Sequence, residues 1–386
     1  MLGFLKNLRK GKTQTAFTFS RPLVLLQSDD WGRVGVRDKE GFELLRAQGI
    51  RLGERPYDLY SMETADDVTA LAEMLRRHHD SLGRTPCMTL NFCTANLDFP
   101  RMRRQGLVRV IPLPLSKGLP GTWSRPGLLE AYREGIKQGV FHPGLHGTVH
   151  FSELAVSKAL VKGDERAELL HTLWKAETPY IFWRMPWIGY EYWSGEEPHN
   201  GGFLTSGQQR ERVNRACEIF SELFGAKPVS ACAPGYRSNS STCRAWSETG
   251  IRVVENGTGD GLRPPHVDHF NSLHLFRNLD FEPSQHELDT DKYLEVAAAC
   301  FAQGLPLIIS THSINFHSTL KDFRTPTIAT LDRLLSALES KYSELVYVKD
   351  DDLHRLVTEG AIEEVQAKIN VTQREWDPHL AQMGAI

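Results

Sequence analysis

The sequence predicts an α/β protein whose strands curl into a (β/α) barrel, and three observations carry that prediction. Short apolar runs of strand length, at 23–26, 229–233 and 307–311, recur among longer amphipathic stretches. Continuous apolar runs of that kind fit strands buried on both faces of a parallel sheet. From Val229 onward strand and helix patterns alternate regularly, the rhythm of parallel crossovers. Roughly seven or eight such units suit closure better than an open sheet.

Taken in order, the first strand, 23–26, leads into Gln27-Ser28-Asp29-Asp30-Trp31-Gly32. Residues 64–80 read as a helix, with Thr64 as its cap, acids in its first turn, and Arg76, Arg77 and His78 near its end. A strand at 89–92 and a helix at 126–138 follow, and 140–143 runs into His146-Gly147-Thr148-Val149-His150. Two helical stretches, 155–175 and 206–224, flank an aromatic segment from Tyr180 to Trp193. The second half reads strand 229–233, helix 240–249, strands 252–255 and 273–277, helix 291–303, strand 307–311, helix 328–341 and strand 345–348. One barrel domain is expected over 20–360, with extensions at 1–19 and 361–386.

Composition narrows the function. With 40% hydrophobic and 24% charged residues among 386, the chain is an ordinary globular one. A net charge of −3 gives no electrostatic reason to expect nucleic acid, which needs a clustered basic surface. The six cysteines form no C-x-x-C pair, so buried thiols in a reducing compartment are expected. The apolar stretch near Met1 is too short for a signal peptide, and no later stretch is long enough to span a membrane. Cytoplasmic location is therefore the expectation. The Leu, Phe and basic residues of 1–10 suit either a frayed terminus or a weak contact with an anionic membrane surface. Gly11-Lys12-Thr13 matches only the end of a P-loop, since Lys6 stands where the first glycine is required.

Asp29 and Asp30 are the most informative residues. Adjacent carboxylates at a buried strand's end are costly unless a cation compensates them. In barrels of this kind, chemistry gathers where the strands end. Four groups occupy such positions: Asp29 and Asp30; His146 and His150; Pro234-Gly235-Tyr236-Arg237; and Thr311-His312-Ser313. One carboxylate and two imidazoles with a position left open fit a catalytic zinc site. With Asp30 on a metal, Asp29 remains free as general base. Gly147, Thr148 and Val149 are weak helix formers, so His146 and His150 are expected on a tight turn or a short helical turn rather than a long helix. Each piece has a plainer reading: a turn or cap for the Asp pair, satisfied histidines, and core packing rather than a sugar platform for the aromatic segment. Their joint order shifts the balance.

That order resembles the polysaccharide deacetylase family, the family 4 carbohydrate esterases. Asp29-Asp30 matches its first motif, and His146-Gly147-Thr148-Val149-His150 its second, with Gly at the second place. Ala233-Pro234-Gly235-Tyr236-Arg237 corresponds to its Arg-Pro-Pro-Tyr-Gly turn, and Ile309-Ser310-Thr311-His312 to its Leu-x-x-His. The resemblance implies a distorted barrel and a divalent metal, most often zinc, held by Asp30, His146 and His150. It further implies that Asp29 activates the metal's water, that the Tyr236 backbone N–H steadies the oxyanion, and that His312 protonates the leaving amine. The family's base-orienting Arg is replaced by Ala233, with Arg237 the nearby substitute, and Asp280 or Glu282 stand nearest to a supporting acid for His312. The expected substrate is an N-acetylated sugar, nucleotide- or lipid-linked, in O-antigen or exopolysaccharide synthesis. The rivals are a glycosidase or other amide hydrolase on the same barrel, and an inactive sugar-binding protein.

Overall fold

The strands in chain order are β1 (Gln14–Phe19), β2 (Leu23–Trp31), β3 (Met88–Phe92), β4 (Ala95–Leu97), β5 (Pro112–Pro114), β6 (Phe141–Leu145) and β7 (Ser230–Cys232). The remainder are β8 (Val253–Asn256), β9 (His266–Val267), β10 (Leu273–Phe276), β11 (Leu279–Asp280), β12 (Leu307–His312), β13 (Val346–Tyr347) and β14 (Val371–Trp376). They belong to a computed structural model that describes residues 14–196, 201–259, 261–362 and 369–376. The main sheet runs β11-β12-β2-β3-β6-β7-β8-β10-β9-β1-β14, with β13 also on β2, while β4 and β5 form a separate pair. From β11 to β10 along this path every pairing is parallel.

Every residue of β2 is buried, as its unbroken apolar start predicts. Val24 and Leu26 pack into one core cluster and Leu23 and Leu25 into another, as the alternation of strand side chains requires. The helices Ala65–Leu75, Leu128–Lys137 and Arg324–Lys341 supply Leu71, Leu128 and Leu334 to the first cluster. The strand ends that bear the polar groups are thereby brought to one rim.

The expected barrel is present in distorted form. The segment from Leu273 to Asp280 changes partners midway: β10 pairs with β8, and β11 pairs with β12. At the switch, Arg277 N–H donates to Asn256 O (3.1 Å) and Asn278 N–H to Ile308 O (3.2 Å). One extended run thus joins the two sides of the curled sheet, and Arg277 sits at the join.

Local departures have local causes. Residues 155–175 form two helices, Glu153–Lys162 and Glu165–Lys175, because Gly163 ends the first at φ +64° and Asp164 caps the second. The helices Lys39–Ala47 and Asp350–Glu359 and the antiparallel β1–β14 pair were not expected. Among the described residues no helix is long and apolar enough to cross a membrane. The membrane-contact reading of 1–10 and the P-loop-like Gly11-Lys12-Thr13 lie outside the described residues.

Candidate active site

Adjacent strand residues ordinarily face opposite sides of a sheet. Asp29 and Asp30 escape that rule because the β2–β3 register shifts between Ser28 and Trp31 and Asp30 adopts φ +73°. A left-handed non-glycine residue is strained and persists only where its surroundings fix it. Here the Tyr60 hydroxyl donates to the Asp30 carbonyl at 2.7 Å, and Ser313 Oγ donates to it at 3.3 Å. Trp31 then turns into the core, fully buried, with its indole N–H on Ser28 Oγ (2.8 Å). Both carboxylates line one pocket.

That pocket, about 270 Å³, is lined by Asp29, Asp30, His146, His150, Tyr236 and His312 together with Arg33, Gln285 and the aromatic side chains of Tyr57, Phe182, Trp183 and Tyr190. Six of the seven candidate residues thus converge on it. Arg237 does not: it is exposed, with its guanidinium stacked over Trp193 (5.0 Å to the ring centre).

The two aspartates are separated by their partners. Both Asp29 oxygens are taken by Arg277, Nη1 to Oδ2 at 2.6 Å and Nη2 to Oδ1 at 2.7 Å, and Asn91 Nδ2 donates to Oδ1 at 2.9 Å. Burial pushes the Asp29 carboxyl up, but Arg277 and then His146 outweigh it, holding the group well below the usual carboxylate range. Asp30 uses Oδ2 for Arg33 (3.0 Å) and leaves buried Oδ1 without a hydrogen-bond partner. Burial raises its carboxyl too, and Arg33 and then His150 hold it well down. Arg33 is itself fixed by the Tyr180 hydroxyl and by stacking 4.0 Å over Tyr60.

His146 Nε2 and His150 Nε2 face the free Asp30 oxygen at 3.5 and 3.3 Å. All three donor atoms lie within 4.8 Å of one another. His146 Nδ1 is hydrogen-bonded to the Cys232 carbonyl (2.9 Å), which places its proton there and leaves the Nε2 lone pair toward the pocket. Burial holds His150 well below its usual titration range, against the pull of Asp30, so it is a neutral imidazole. An orphaned buried carboxylate oxygen faced by two imidazole nitrogens fits a divalent cation, with Asp30 ligating through one oxygen. Asp29 is also near His146 and Cys232, but both its oxygens are paired with Arg277, whereas Asp30 Oδ1 has no hydrogen-bond partner and is the better-suited carboxylate ligand.

The ligand loop is a turn rather than a helix, as the weak helix formers imply. Glu191 Oε2 accepts from Thr148 N–H at 2.8 Å and would lie 1.9 Å from a Cβ at Gly147, whose φ is +85°. Only glycine fits there.

His312 stands beside Asp29 through the β12–β2 register. Its Nδ1 meets Glu282 Oε1 at 2.6 Å, while Asn315 Nδ2 donates to Glu282 Oε2 at 2.7 Å. Asp280 instead accepts from Thr258 Oγ1 (2.6 Å) and Ser310 Oγ (3.1 Å), so Glu282 is the supporting acid. Burial disfavours the imidazolium, but Glu282 more than offsets it and His312 is pushed up to about 9. Glu282→Gln is expected to return that titration toward the ordinary 6.5. Because the folded value is raised, His312 contributes stability below about pH 6.5 that is lost as pH climbs through about 9. The Gln variant should show less of that loss, and an NMR titration of His312 measures the shift directly. An unmoved titration would contradict the assignment.

The Tyr236 backbone N–H, expected to meet an oxyanion, donates to Ala233 O at 2.8 Å in a tight turn. What Tyr236 offers is its side chain, whose hydroxyl accepts from Arg277 Nη1 at 2.9 Å. Sequence reasoning missed Arg33 and Arg277. The second carried a signal, since it closes the expected strand 273–277 and so occupies a strand-end position.

No protein-family model and no curated protein matches the chain. Among solved structures, a Mycobacterium smegmatis protein assigned as a polysaccharide deacetylase aligns over 90% of this chain and 95% of its own, with 13% identity and a TM-score of 0.44. The PuuE allantoinase aligns over 88% and 91% with 14% identity and a TM-score of 0.42. A family 4 carbohydrate esterase pseudoenzyme from Bacillus anthracis aligns over 86% and 66% with 9% identity and a TM-score of 0.34. At those TM-scores the likenesses carry no argument about chemistry, and the reading rests on the pocket's own residues.

Proposed function

We propose that the pocket hydrolyses the N-acetyl amide of a sugar with a divalent metal, most often zinc, held by Asp30, His146 and His150. One observation carries this reading: of two adjacent aspartates, Asp29 has both oxygens on a guanidinium, while Asp30 turns an unpartnered oxygen to two imidazoles, and His312 stands at the register position beside Asp29. When bound, the metal supplies Lewis acidity to a carbonyl oxygen and acidity to a water. Asp29, anionic and pinned by Arg277, accepts the proton of the attacking water. His312, charged by Glu282, returns a proton to the departing nitrogen. Two separately tuned groups thus divide proton removal and return.

The aromatic walls support a sugar. Trp183 and Tyr236 are among the few exposed large apolar side chains, at 41% and 38%, and both border the pocket. Faces of that kind suit the apolar side of a pyranose ring. A glycosidase reading is less well served, because it needs two carboxylates on either side of a bond. Among the described residues lining the pocket, the carboxylates are Asp29 and Asp30, neighbours already committed elsewhere.

Acetate release from N-acetylated monosaccharides, free and nucleotide-linked, tests the proposal in protein loaded with a divalent ion. His146→Ala should lower metal affinity by more than about a hundredfold, the upper cost of losing an outer partner of a ligand, and acetate release should fall with it. Equal metal content in the variant and wild type would remove the ligand assignment. A loaded wild type that releases no acetate from any such sugar would remove the activity.

A further inference from the structure

Beneath Asp29 the barrel interior holds a polar network that the proposed chemistry does not use. Arg277 donates through Nε to Gln27 Oε1 (3.0 Å) and through Nη2 to Glu255 Oε2 (3.0 Å) as well as to Asp29. Asn91 Nδ2 bridges the same two carboxylates, at 2.9 Å to Asp29 Oδ1 and 2.7 Å to Glu255 Oε2. Gln27 Nε2 continues to Asp350 Oδ1 (2.7 Å), whose other oxygen accepts from Thr89 Oγ1 (2.5 Å).

The charges do not balance. Asp29, Glu255 and Asp350 are each at most 2% exposed, and Arg277 is the cation bonded within this network. If all three acids were ionised, the network would carry two uncompensated negative charges away from water. A buried unpaired charge is avoided by taking up a proton instead. Asp29 has the bidentate guanidinium and keeps its charge. Glu255 receives one guanidinium hydrogen and one amide hydrogen on Oε2, while its buried Oε1 has no partner. With Oε2 accepting twice, Oε1 is the oxygen that would carry the proton of the neutral acid.

We propose that Glu255 is kept protonated in the folded protein and acts as a positioning residue for Asp29. As a neutral acid it accepts from Arg277 and Asn91 without competing for the guanidinium's charge, which stays with the carboxylate facing the pocket. Burial and then Asp350 push Glu255 upward, against the pull of Arg277, which agrees with this placement. The groups that face it are Asp29 on β2, Cys232 on β7, Arg277 after β10 and Asp350 at the start of Asp350–Glu359. The positioning role rests on the reading of Asp29 as base. The protonation of Glu255 does not.

Glu255→Gln, the isosteric neutral side chain, separates the two. A folded value raised above the unfolded one means that wild type loses stability as pH rises from the ordinary Glu range through the raised value, whereas Gln titrates nowhere. Asp29, Asp350 and Cys232 remain in both proteins, and because Asp350 interacts with Glu255 the difference reports the titration of Glu255 together with its effect on Asp350. In full-length protein, the melting temperature of Glu255→Gln minus that of wild type is expected to grow by roughly several degrees from about pH 5 to about pH 9. The infrared difference between wild type and variant should also show the loss of one buried protonated carboxyl band. A flat difference together with no such loss would overturn the protonation, whatever the enzyme's substrate proves to be.

For the positioning role, Glu255→Ala should lower kcat by roughly tenfold or more, since displaced reacting groups cost up to about a hundredfold. Glu255→Gln should recover it to within about threefold, with KM little changed in either. A folded Gln variant as slow as the Ala variant would show that the acid's charge is needed, and would sink the positioning role while leaving the metal site and the deacetylase reading intact.

Discussion

Arg277→Met is expected to destabilise the fold by about 3–5 kcal/mol, the usual cost of stripping one partner from a buried ion pair. The side chain is fully buried and satisfies Asp29 twice, Gln27, Glu255 and the Tyr236 hydroxyl. Removing it strips Asp29 of the cation that offsets its burial, which drives the carboxyl toward its protonated form, and takes a donor from each of the others. Denaturant midpoints measure the effect. Arg237→Ala provides the contrast: that residue is exposed and stacks over Trp193's ring, so its change should stay within about 0.5 kcal/mol. Comparable losses from the two would show that Arg277 does not hold the base. Arg277→Lys keeps the charge but not the two-pronged geometry, and should fall between them.

Asp29→Asn carries the largest expected effect on rate. Losing a general base costs about 10²–10⁴-fold in kcat, and here the amide would also present an N–H toward the guanidinium. Metal content should survive the change, because Asp30, His146 and His150 keep their donors. Acetate release at the wild-type rate would remove Asp29 from the chemistry. Loss of metal together with rate would instead make Asp29 a ligand, and the separation of the two aspartates would be wrong.

Much of this arrangement was legible in the residue order. The apolar run at 23–26, the alternation after Val229 and the cap at Thr64 are local patterns. Burial and hydrogen bonding within a few residues decide them, and β2, β12 and Ala65–Leu75 follow. The break at Gly163 was also local, but a long amphipathic stretch concealed it. Asp29, Asp30, His146, His150 and His312 could be singled out because strand ends converge in a barrel whatever the details of its helices.

The partner of Asp29 was a different kind of question. A search limited to the neighbourhood of Ala233 finds Arg237, yet Arg237 leaves the pocket and Arg277, 248 positions from Asp29, enters it. That exchange depends on where 273–280 switches from β8 to β12, a pairing that no local pattern encodes. The choice of Glu282 over Asp280 is similar: two residues apart, they project differently from the end of β11.

The sequence by itself determined the strands and helices that bear the site and the polar side chains at their ends, because periodicity and capping act over a few residues. Only the tertiary structure decided how the two carboxylates divide their work. Asp29 is held by Arg277 and Asn91, brought from distant strands, whereas Asp30 is held down first by Arg33, three residues on, and turns its free oxygen to His146 and His150 from the loop after β6. In a buried site the nearest opposite charge fixes a carboxylate's role, and nearness there is a property of the fold.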